Sequence, residues 1–153
     1  MPELPDVEAI RRYLLARGIV GRAFTEVTLH WPKAVRQPSP EEFCRQLVRR
    51  RIQDVRRRGK FLLVNLDNGT LVLHLRMTGS LVLIPPSEEP HHLTRTLFEL
   101  DDGRRLLFVD GRKLGNIWLL DDPSPILAHL GPEPLDRGFT SKVLGERLRV
   151  YRG

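Results

Sequence analysis

The first residues of the chain place an amine nucleophile next to a carboxylate. Once Met1 is removed, Pro2 presents a secondary amine, which can attack a carbonyl-like carbon and become a cationic iminium that acts as an electron sink. Glu3 would stand beside it as a general acid or base. A retained Met1 would instead make the Pro2 nitrogen a tertiary amide, which cannot form this adduct. The alternative is that the segment only starts a helix, since Pro5 presets a first helical position; this leaves Pro2 and Glu3 unexplained.

Two interior stretches combine basic residues with the ends of apolar strands. In residues 57–63, Lys60 leads into a strand and could be aimed at a phosphate or at a developing charge. In residues 74–81, alternation puts His74 and Arg76 on one face, and Met77 could be an apolar wedge of the kind that enters a base step. The alternatives are structural: a solvated charged turn, a histidine satisfied within a sheet and a methionine of the core.

A third stretch, residues 110–115, has two glycines that bracket a basic pair and a leucine. An arginine and an apolar neighbour, here Arg112 and Leu114, could together fill the hole left by an extruded base. A tight turn with solvated charges is the alternative. The pattern of this stretch alone leaves both interpretations open.

Short apolar runs separated by turns must position these stretches. Apolar spacing predicts a helix over residues 5–16, and Ser39 caps a second helix that runs to about residue 49. Asn68 and Gly69 predict a tight hairpin turn. The predicted strands are residues 23–30, 52–56, 61–66, 70–76, 80–84, 94–100, 104–109 and 116–120. This order indicates an antiparallel sandwich or barrel with two flanking helices.

The C-terminal part of the sequence has a different pattern. Residues 121–125 are predicted to be a linker, and helical spacing returns over residues 139–151. That helix has no obvious partner within the chain, which suggests a second domain cut off after its first element.

The charge balance favours a polyanionic partner. The 153 residues contain 25 Lys and Arg against 19 Asp and Glu, which gives a net charge of +6. Arginines occur in two runs, residues 49–51 and 56–58, which argues for a basic patch; a merely soluble basic protein is the alternative. Cys44 is the only cysteine, so the chain can form no intramolecular disulfide and no zinc site. We expect a soluble protein of the reducing cytoplasm, since the sequence has no signal peptide or membrane-length apolar run.

The stretches occur together and in an order that resembles the bacterial formamidopyrimidine-DNA glycosylases. The resemblance rests on residues 2–8, 58–63, 74–81, 110–115 and 130–135 and covers essentially the whole chain. The opening octapeptide and the Gly59-Lys60 step are specific when found together. The sister enzyme endonuclease VIII typically has glycine where this chain has Leu4, which favours the branch that acts on oxidised purines.

The resemblance implies a fold, an activity and a partner. The fold would be a two-layered antiparallel β-sandwich with two α-helices over residues 1–132, with residues 133–153 beginning a helix-two-turns-helix domain. The activity would be base excision repair: removal of 8-oxoguanine and formamidopyrimidines from duplex DNA, with strand cleavage at the abasic site through a Schiff base. The partner would be double-stranded DNA with a damaged base, bound by a monomer without membrane contact, in the cytoplasm near the nucleoid.

The resemblance also implies roles for matching residues. Pro2 would be the nucleophile at C1′, Glu3 the general acid for base release, and Lys60 a phosphate contact that assists β-elimination. The void-filling trio would be Met77, Arg112 and Leu114. Two histidines, His74 and His92, are predicted to contact DNA, and His91 adjoins the second of them.

This sequence departs from the family pattern at three of these places. Asp6 stands where glutamate is usual, which shortens a carboxylate near the active site. Leu114 replaces the usual phenylalanine and removes a stacking surface, and Gly111 replaces a usual proline and loosens the loop that aims Arg112.

The family's structural zinc would bind a C-terminal zinc finger beyond these residues, and no cofactor is expected within them. We therefore expect weak or no activity from these residues alone.

Two other classes of function are compatible with part of the pattern. One is a non-catalytic basic β module that binds duplex DNA, in which the opening residues are helix signals and nothing more. The other is a tautomerase that uses an N-terminal proline on a small carbonyl acid. The arginine runs and the β-rich order fit the tautomerase poorly.

Overall fold

The computed structural model describes residues 7–76 and 78–128. Its helices are α1 (Val7–Ala16), α2 (Pro40–Leu47) and the short α3 (Ser124–Leu127), with a 3₁₀ turn at Pro32–Ala34. Its strands are β1 (Phe24–Leu29), β2 (Val35–Gln37), β3 (Ile52–Arg58), β4 (Phe61–Leu66), β5 (Thr70–His74), β6 (Gly79–Ile84), β7 (Thr94–Leu100), β8 (Arg105–Asp110) and β9 (Asn116–Leu120).

The strands form two sheets, which confirms the predicted mainly β, two-layered architecture. One sheet has the order β1-β7-β8-β6, and the other has the order β2-β9-β5-β4-β3. All pairings are antiparallel except that of β2 with β9, which is parallel. Side chains of both sheets and of α1 and α2 share one buried apolar cluster, which includes Phe108, Phe24, Leu73, Leu14 and Phe43. Removing this apolar surface from water is the main force that holds the two layers together.

Most predicted elements are confirmed, and the differences have local causes. The β5 prediction is wrong at its end, because Arg76 has a φ of 57° and turns the chain out of the strand. The three-residue β2 was not predicted, since its apolar content is too small to stand out. The predicted linker at residues 121–125 is wrong at its last two residues, where α3 begins at Ser124. The helix predicted over residues 139–151 and the domain predicted from residue 133 lie outside the described residues.

Helix α1 is fixed to the sheets by two side chains on its inner face. Arg11 Nε donates a hydrogen bond to the carbonyl oxygen of Val55 in β3 at 3.0 Å. The hydroxyl of Tyr13 accepts a hydrogen bond from the backbone N–H of Leu83 in β6 at 2.9 Å. The helix therefore contacts a strand of each sheet.

The two arginine runs lie at opposite ends of β3 and do not form one surface. Residues 49–51 precede the strand beside the β4–β5 turn, where Arg50 Nη1 donates to the Asn68 carbonyl oxygen at 2.6 Å. Gly69 of that turn has a φ of 81°, as the hairpin prediction required. The second run, residues 56–58, ends the strand about 20 Å away, since a strand rises about 3.3 Å per residue.

The chain divides into two compact units, Met1–Leu120 and Asp121–Gly153. Within the second unit, the backbone N–H of Ser124 donates to Asp122 Oδ1 at 3.0 Å where α3 begins. No helix among the described residues is long and apolar enough to cross a membrane.

Candidate functional site

One end of the five-stranded sheet brings Lys60, His74 and the start of β9 side by side. In the strand register, Phe61 of β4 lies opposite His74 of β5, and His74 lies opposite Asn116 of β9. Lys60 directly precedes Phe61, after Gly59 has turned the chain with a φ of 59°. The stretches that contain Lys60 and His74 therefore meet at this end of the sheet. The loop of residues 111–115 leads into Asn116, beside His74.

The chain crosses between the two sheets twice at this end. Residues 75–78 lead from β5 into β6, and residues 111–115 lead from β8 into β9. Gly79 and Asp110 are register partners, so the two crossings run next to each other. We call these two segments the first and second crossing segments.

The carboxylate of Asp110 joins the two crossing segments. Its side chain is buried, with the residue 2% exposed. The hydroxyl of Thr78, in the first segment, donates to Oδ1 at 2.5 Å, and the backbone N–H of Gly115, in the second, donates to Oδ2 at 2.7 Å. Both oxygens of a buried carboxylate are thus satisfied by different parts of the chain.

A second pair of contacts joins the same segments nearer the five-stranded sheet. Arg76 Nη2 donates to Asn116 Oδ1 at 2.9 Å, and the backbone N–H of Arg76 donates to His74 Nδ1 at 3.2 Å. Arg76 and Thr78 are therefore both tied to the second segment or its flanks. Met77, between them, lies outside the described residues, and its predicted role as a wedge stays a prediction.

The second crossing segment exposes the two residues that were predicted to fill a void. Arg112 is exposed, and Leu114 is 39% exposed, which is unusual for a large apolar side chain in this protein. Lys113 between them has a φ of 59°, and its Nζ lies 4.3 Å from the centroid of the Trp31 ring. The cation–π contact holds the lysine against Trp31. The basic pair therefore divides into an anchored lysine and an arginine at the surface.

Arg95 of β7 supports the base of the same segment. Its Nε donates to the carbonyl oxygen of Asp110 at 2.8 Å, and its Nη2 donates to that of Gly111 at 3.2 Å. The backbone N–H of Asp110 donates to the Leu93 carbonyl oxygen at 3.1 Å. These bonds connect the second crossing segment to the loop that carries His92.

The two histidines of that loop have different surroundings. His91 Nδ1 accepts a hydrogen bond from the backbone N–H of Leu93 at 3.0 Å, so the His91 ring is part of the turn. The exposed ring of His92 stacks on it, with centroids 4.6 Å apart. Both histidines are exposed, and the DNA contact of His92 stays a prediction.

His74 is neutral at physiological pH. Burial, together with the positive charges of Arg76 and Lys60, lowers the pKa of His74 to about 4. Because Nδ1 accepts a hydrogen bond, the proton of the neutral ring is on Nε2. The ring packs edge-on against Phe61 with centroids 4.6 Å apart. His74 can thus serve as an uncharged hydrogen-bond donor.

The start of α1 lies beside the turn that carries Lys60. Arg57 Nε donates to Glu8 Oε1 at 3.3 Å, and Arg57 Nη1 donates to the Gly59 carbonyl oxygen at 3.2 Å. Partial burial raises the pKa of Glu8, but hydrogen bonds and charges from Arg12, Arg11 and Arg57 outweigh it, and the net shift is downward. The described chain therefore begins at this end of the sheet. Pro2, Glu3 and Asp6 lie outside the described residues, and their predicted roles stay predictions.

The sequence patterns did not identify Arg95, Trp31, Thr78 and Asn116 as supports of the site. Asp110 was noted only as the start of a loop, since an acidic residue is almost never fully buried unless it is paired. Arg58, read as part of a solvated basic turn, is only 8% exposed, which corrects that alternative. The long-range partners of these residues have no local signal.

The residues do not fit a zinc site. Among residues 7–76 and 78–128, no cluster of three His, Cys, Asp or Glu side chains could hold a metal ion. Burial and the charge of Glu41 raise the pKa of the Cys44 thiol, which disfavours its thiolate form.

Comparisons with known proteins agree on one family. Residues 1–117 match the family described as Formamidopyrimidine-DNA glycosylase N-terminal domain. A formamidopyrimidine-DNA glycosylase of Herpetosiphon aurantiacus is 46% identical over 153 residues, covering 97% of this chain and 55% of the relative. The same enzyme of Chloroflexus aggregans is 47% identical over 159 residues, again covering 97% of this chain and 55% of the relative. The chain thus spans about half the length of the curated relatives it matches.

Solved structures show the same likeness. The Lactococcus lactis Fpg (MutM) in complex with DNA containing FAPY-dG superposes with a TM-score of 0.73 at 29% identity, covering 83% of this chain and 47% of the other. A MutM in complex with DNA containing carbocyclic 8-oxo-G gives the same TM-score and identity, covering 83% of this chain and 48% of the other. On the evidence of its two sheets, its crossing segments and these relatives, the chain belongs to the formamidopyrimidine-DNA glycosylase family.

Proposed function

We propose that the protein containing this chain is a DNA glycosylase that removes oxidised purines from duplex DNA and then cleaves the strand at the abasic site. The observation that carries the proposal is the convergence of Lys60, His74, Arg112 and Leu114 at one end of the two sheets. The relatives' structures with FAPY-dG, abasic-site and 8-oxo-G DNA support the choice of substrate. We infer that it acts in the cytoplasm, where bacterial chromosomal DNA lies.

The electrostatics of this end suit a phosphate backbone. Three positive side chains, those of Lys60, Arg76 and Arg112, are exposed. Of the nearby carboxylates, that of Asp110 is buried, and that of Glu8 accepts hydrogen bonds from three arginines. Binding of DNA here releases counterions from the phosphates, so affinity falls steeply as salt rises. The neutral ring of His74 adds an Nε2–H group, which can donate a hydrogen bond to a phosphate oxygen while the ring stays uncharged.

The proposed chemistry begins with the amine of Pro2 after removal of Met1. The amine attacks C1′ of the damaged nucleotide, and the bond from C1′ to the base breaks. The base leaves with the bonding electron pair and takes a proton, which Glu3 supplies through the sugar or directly. The attacking nitrogen then loses its one proton, and its lone pair expels the ring oxygen O4′, which takes a proton as the C1′–O4′ bond breaks. A secondary amine has no second hydrogen to lose, so the adduct with the opened sugar stays a charged iminium.

The iminium then drives strand cleavage. Its positive charge acidifies the C2′ proton, and loss of that proton to a base pushes electrons towards C3′ and expels the 3′ phosphate. Lys60 is proposed to stabilise the negative charge of the departing phosphate. Water finally hydrolyses the iminium and restores the amine. No cofactor takes part in these steps.

The target base must leave the helical stack before C1′ can be reached. The second crossing segment offers Arg112 and Leu114 for the space that the base vacates. Leu114 is 39% exposed, so part of its apolar surface is in unfavourable contact with water. Insertion of the side chain between bases removes that surface from water.

The first prediction concerns the N-terminal amine. Borohydride should trap a covalent complex between the whole natural protein, with Met1 removed, and a duplex that contains an abasic site. A matched form that keeps one extra residue before Pro2 should bind the duplex but give no trapped complex, since its Pro2 nitrogen is an amide. Intact mass verifies both N-termini. Equal trapping by the two forms would rule out Pro2 as the nucleophile.

The second prediction separates charge at the site from charge elsewhere. Lys60→Gln and Arg49→Gln each remove one positive charge, but Arg49 lies before the opposite end of β3. We expect K60Q to slow strand cleavage by about 100-fold, in the range typical for loss of one electrostatic contact to the transition state. R49Q should stay within about threefold, as expected for a distant charge. Single-turnover cleavage rates measure both, and similar rates for the two variants would contradict the assignment of Lys60.

The third prediction concerns the titration of His74. NMR should give it a midpoint near pH 4, well below its ordinary value of 6.5, with the resonance assigned by its loss in His74→Gln. Since folding favours the neutral ring, its contribution to stability is complete above pH 6.5 and is lost as the pH falls towards 4. Arg76→Gln should raise the midpoint by removing a nearby positive charge. A midpoint at 6.5 would show that the ring is solvated.

A further inference from the structure

Both crossing segments contact the carboxylate of Asp110. Thr78 of the first segment donates to Oδ1 at 2.5 Å, and the Gly115 N–H of the second donates to Oδ2 at 2.7 Å. With 2% exposure, the carboxylate has almost no water to replace a lost donor. Movement of either segment away from Asp110 would leave a buried negative charge without its partner, which is strongly unfavourable.

The backbone of Asp110 cannot follow either segment. Its N–H donates to the Leu93 carbonyl oxygen at 3.1 Å, and its own carbonyl oxygen accepts from Arg95 Nε at 2.8 Å. Asp110 is also the last residue of β8, which is hydrogen-bonded to β6 and β7 on its two sides. The carboxylate thus has a fixed position in the four-stranded sheet, and both crossing segments are hydrogen-bonded to it.

The side chains proposed to replace an extruded base extend from these two segments. Arg112 and Leu114 lie between Asp110 and Gly115, and Thr78 directly follows Met77 in the sequence. A void-filling group is effective only if its members reach the base step together, because each must displace stacked bases at the same point. A shared, rigid acceptor provides that coordination.

We propose that Asp110 is a positioning residue for base extrusion, which sets the two crossing segments in register so that Arg112 and Leu114 enter the duplex at a fixed place relative to the first segment. This inference rests on the proposed function and adds to it a residue that touches neither the substrate nor the reacting atoms. It predicts that loss of the carboxylate impairs removal of a paired base more than cleavage at a site where no base has to be extruded.

The test compares two reactions of the whole natural protein under single-turnover conditions. One substrate is a duplex with 8-oxoguanine opposite cytosine, and the other is the same duplex with a preformed abasic site. Asp110→Ala should slow excision of the paired base by about 100-fold, since a misplacement of about 1 Å can have that effect. It should slow cleavage at the abasic site by less than about fivefold, because unstacking and unpairing are then largely avoided.

Asp110→Asn serves as the conservative variant. The amide oxygen can accept from the Gly115 N–H, and the amide nitrogen can donate to the Thr78 hydroxyl. We expect it to restore excision to within about tenfold of the unmodified protein, since neutral hydrogen bonds are roughly half as strong as charge-assisted ones. A residue needed only for its negative charge would show no such rescue.

Asp102→Ala is the matched control. Asp102 precedes the first residue of β8, whereas Asp110 is its last. The two carboxylate oxygens of Asp102 also accept hydrogen bonds, from Arg104 N at 3.0 Å and from Arg104 Nε at 2.8 Å. Thermal unfolding of each variant verifies that it is folded. The ratio of the two reaction rates should stay unchanged in D102A.

Thr78→Val keeps the test decisive if Asp110→Ala does not fold, because Thr78 is exposed and loses only one donor. It should lower excision of the paired base by about tenfold, equivalent to one good hydrogen bond, with little change at the abasic site. Equal losses on both substrates, or no loss, in T78V and D110A would overturn the inference. Absence of both reactions in the unmodified protein would instead overturn the proposed function.

Discussion

The candidate site depends on two places where the backbone passes so close to the core that no side chain fits. At Gly79 a Cβ atom would lie 2.5 Å from the Leu75 carbonyl oxygen, and at Gly115 it would overlap the ring of Phe108. Phe108 is one of the largest fully buried side chains, so it has no room to give way. Both crossings between the sheets are therefore pressed against the core at one point, and Arg76, Thr78 and residues 112–114 are left on the outside, where they can meet a ligand.

Residues outside the second crossing segment hold it in place. Its Gly111 has no side chain to restrict the backbone of the loop. The structure supplies other restraints: Arg95 binds the carbonyl oxygen of Gly111, and Trp31 binds the ammonium group of Lys113. Trp31 is tied to the same strand, because its N–H donates to the carbonyl oxygen of Arg95 at 3.2 Å. Arg112 thus extends from a loop that is fixed on both sides despite the glycine.

The sequence predicted the parts of the structure that depend on local order. Alternating apolar residues identified nearly every strand, and Asn68 with Gly69 identified the β4–β5 hairpin, because these signals are short-range. The family resemblance supplied Lys60, His74 and Arg112 as candidates. The partners of Asp110 could not be predicted, since Thr78 and Gly115 reach it only through the folding of two sheets. The neutral state of His74 likewise depends on burial that alternation alone does not reveal.

The most direct test of where DNA binds is amide hydrogen exchange of the whole natural protein, with and without a duplex that contains an uncleavable abasic analogue. We expect slower exchange in the bound state at residues 74–79, 91–95 and 111–116, and no change at the opposite end, at residues 67–69 and 101–104. Protection at residues 67–69 and 101–104, with none in the crossing segments, would contradict this expectation.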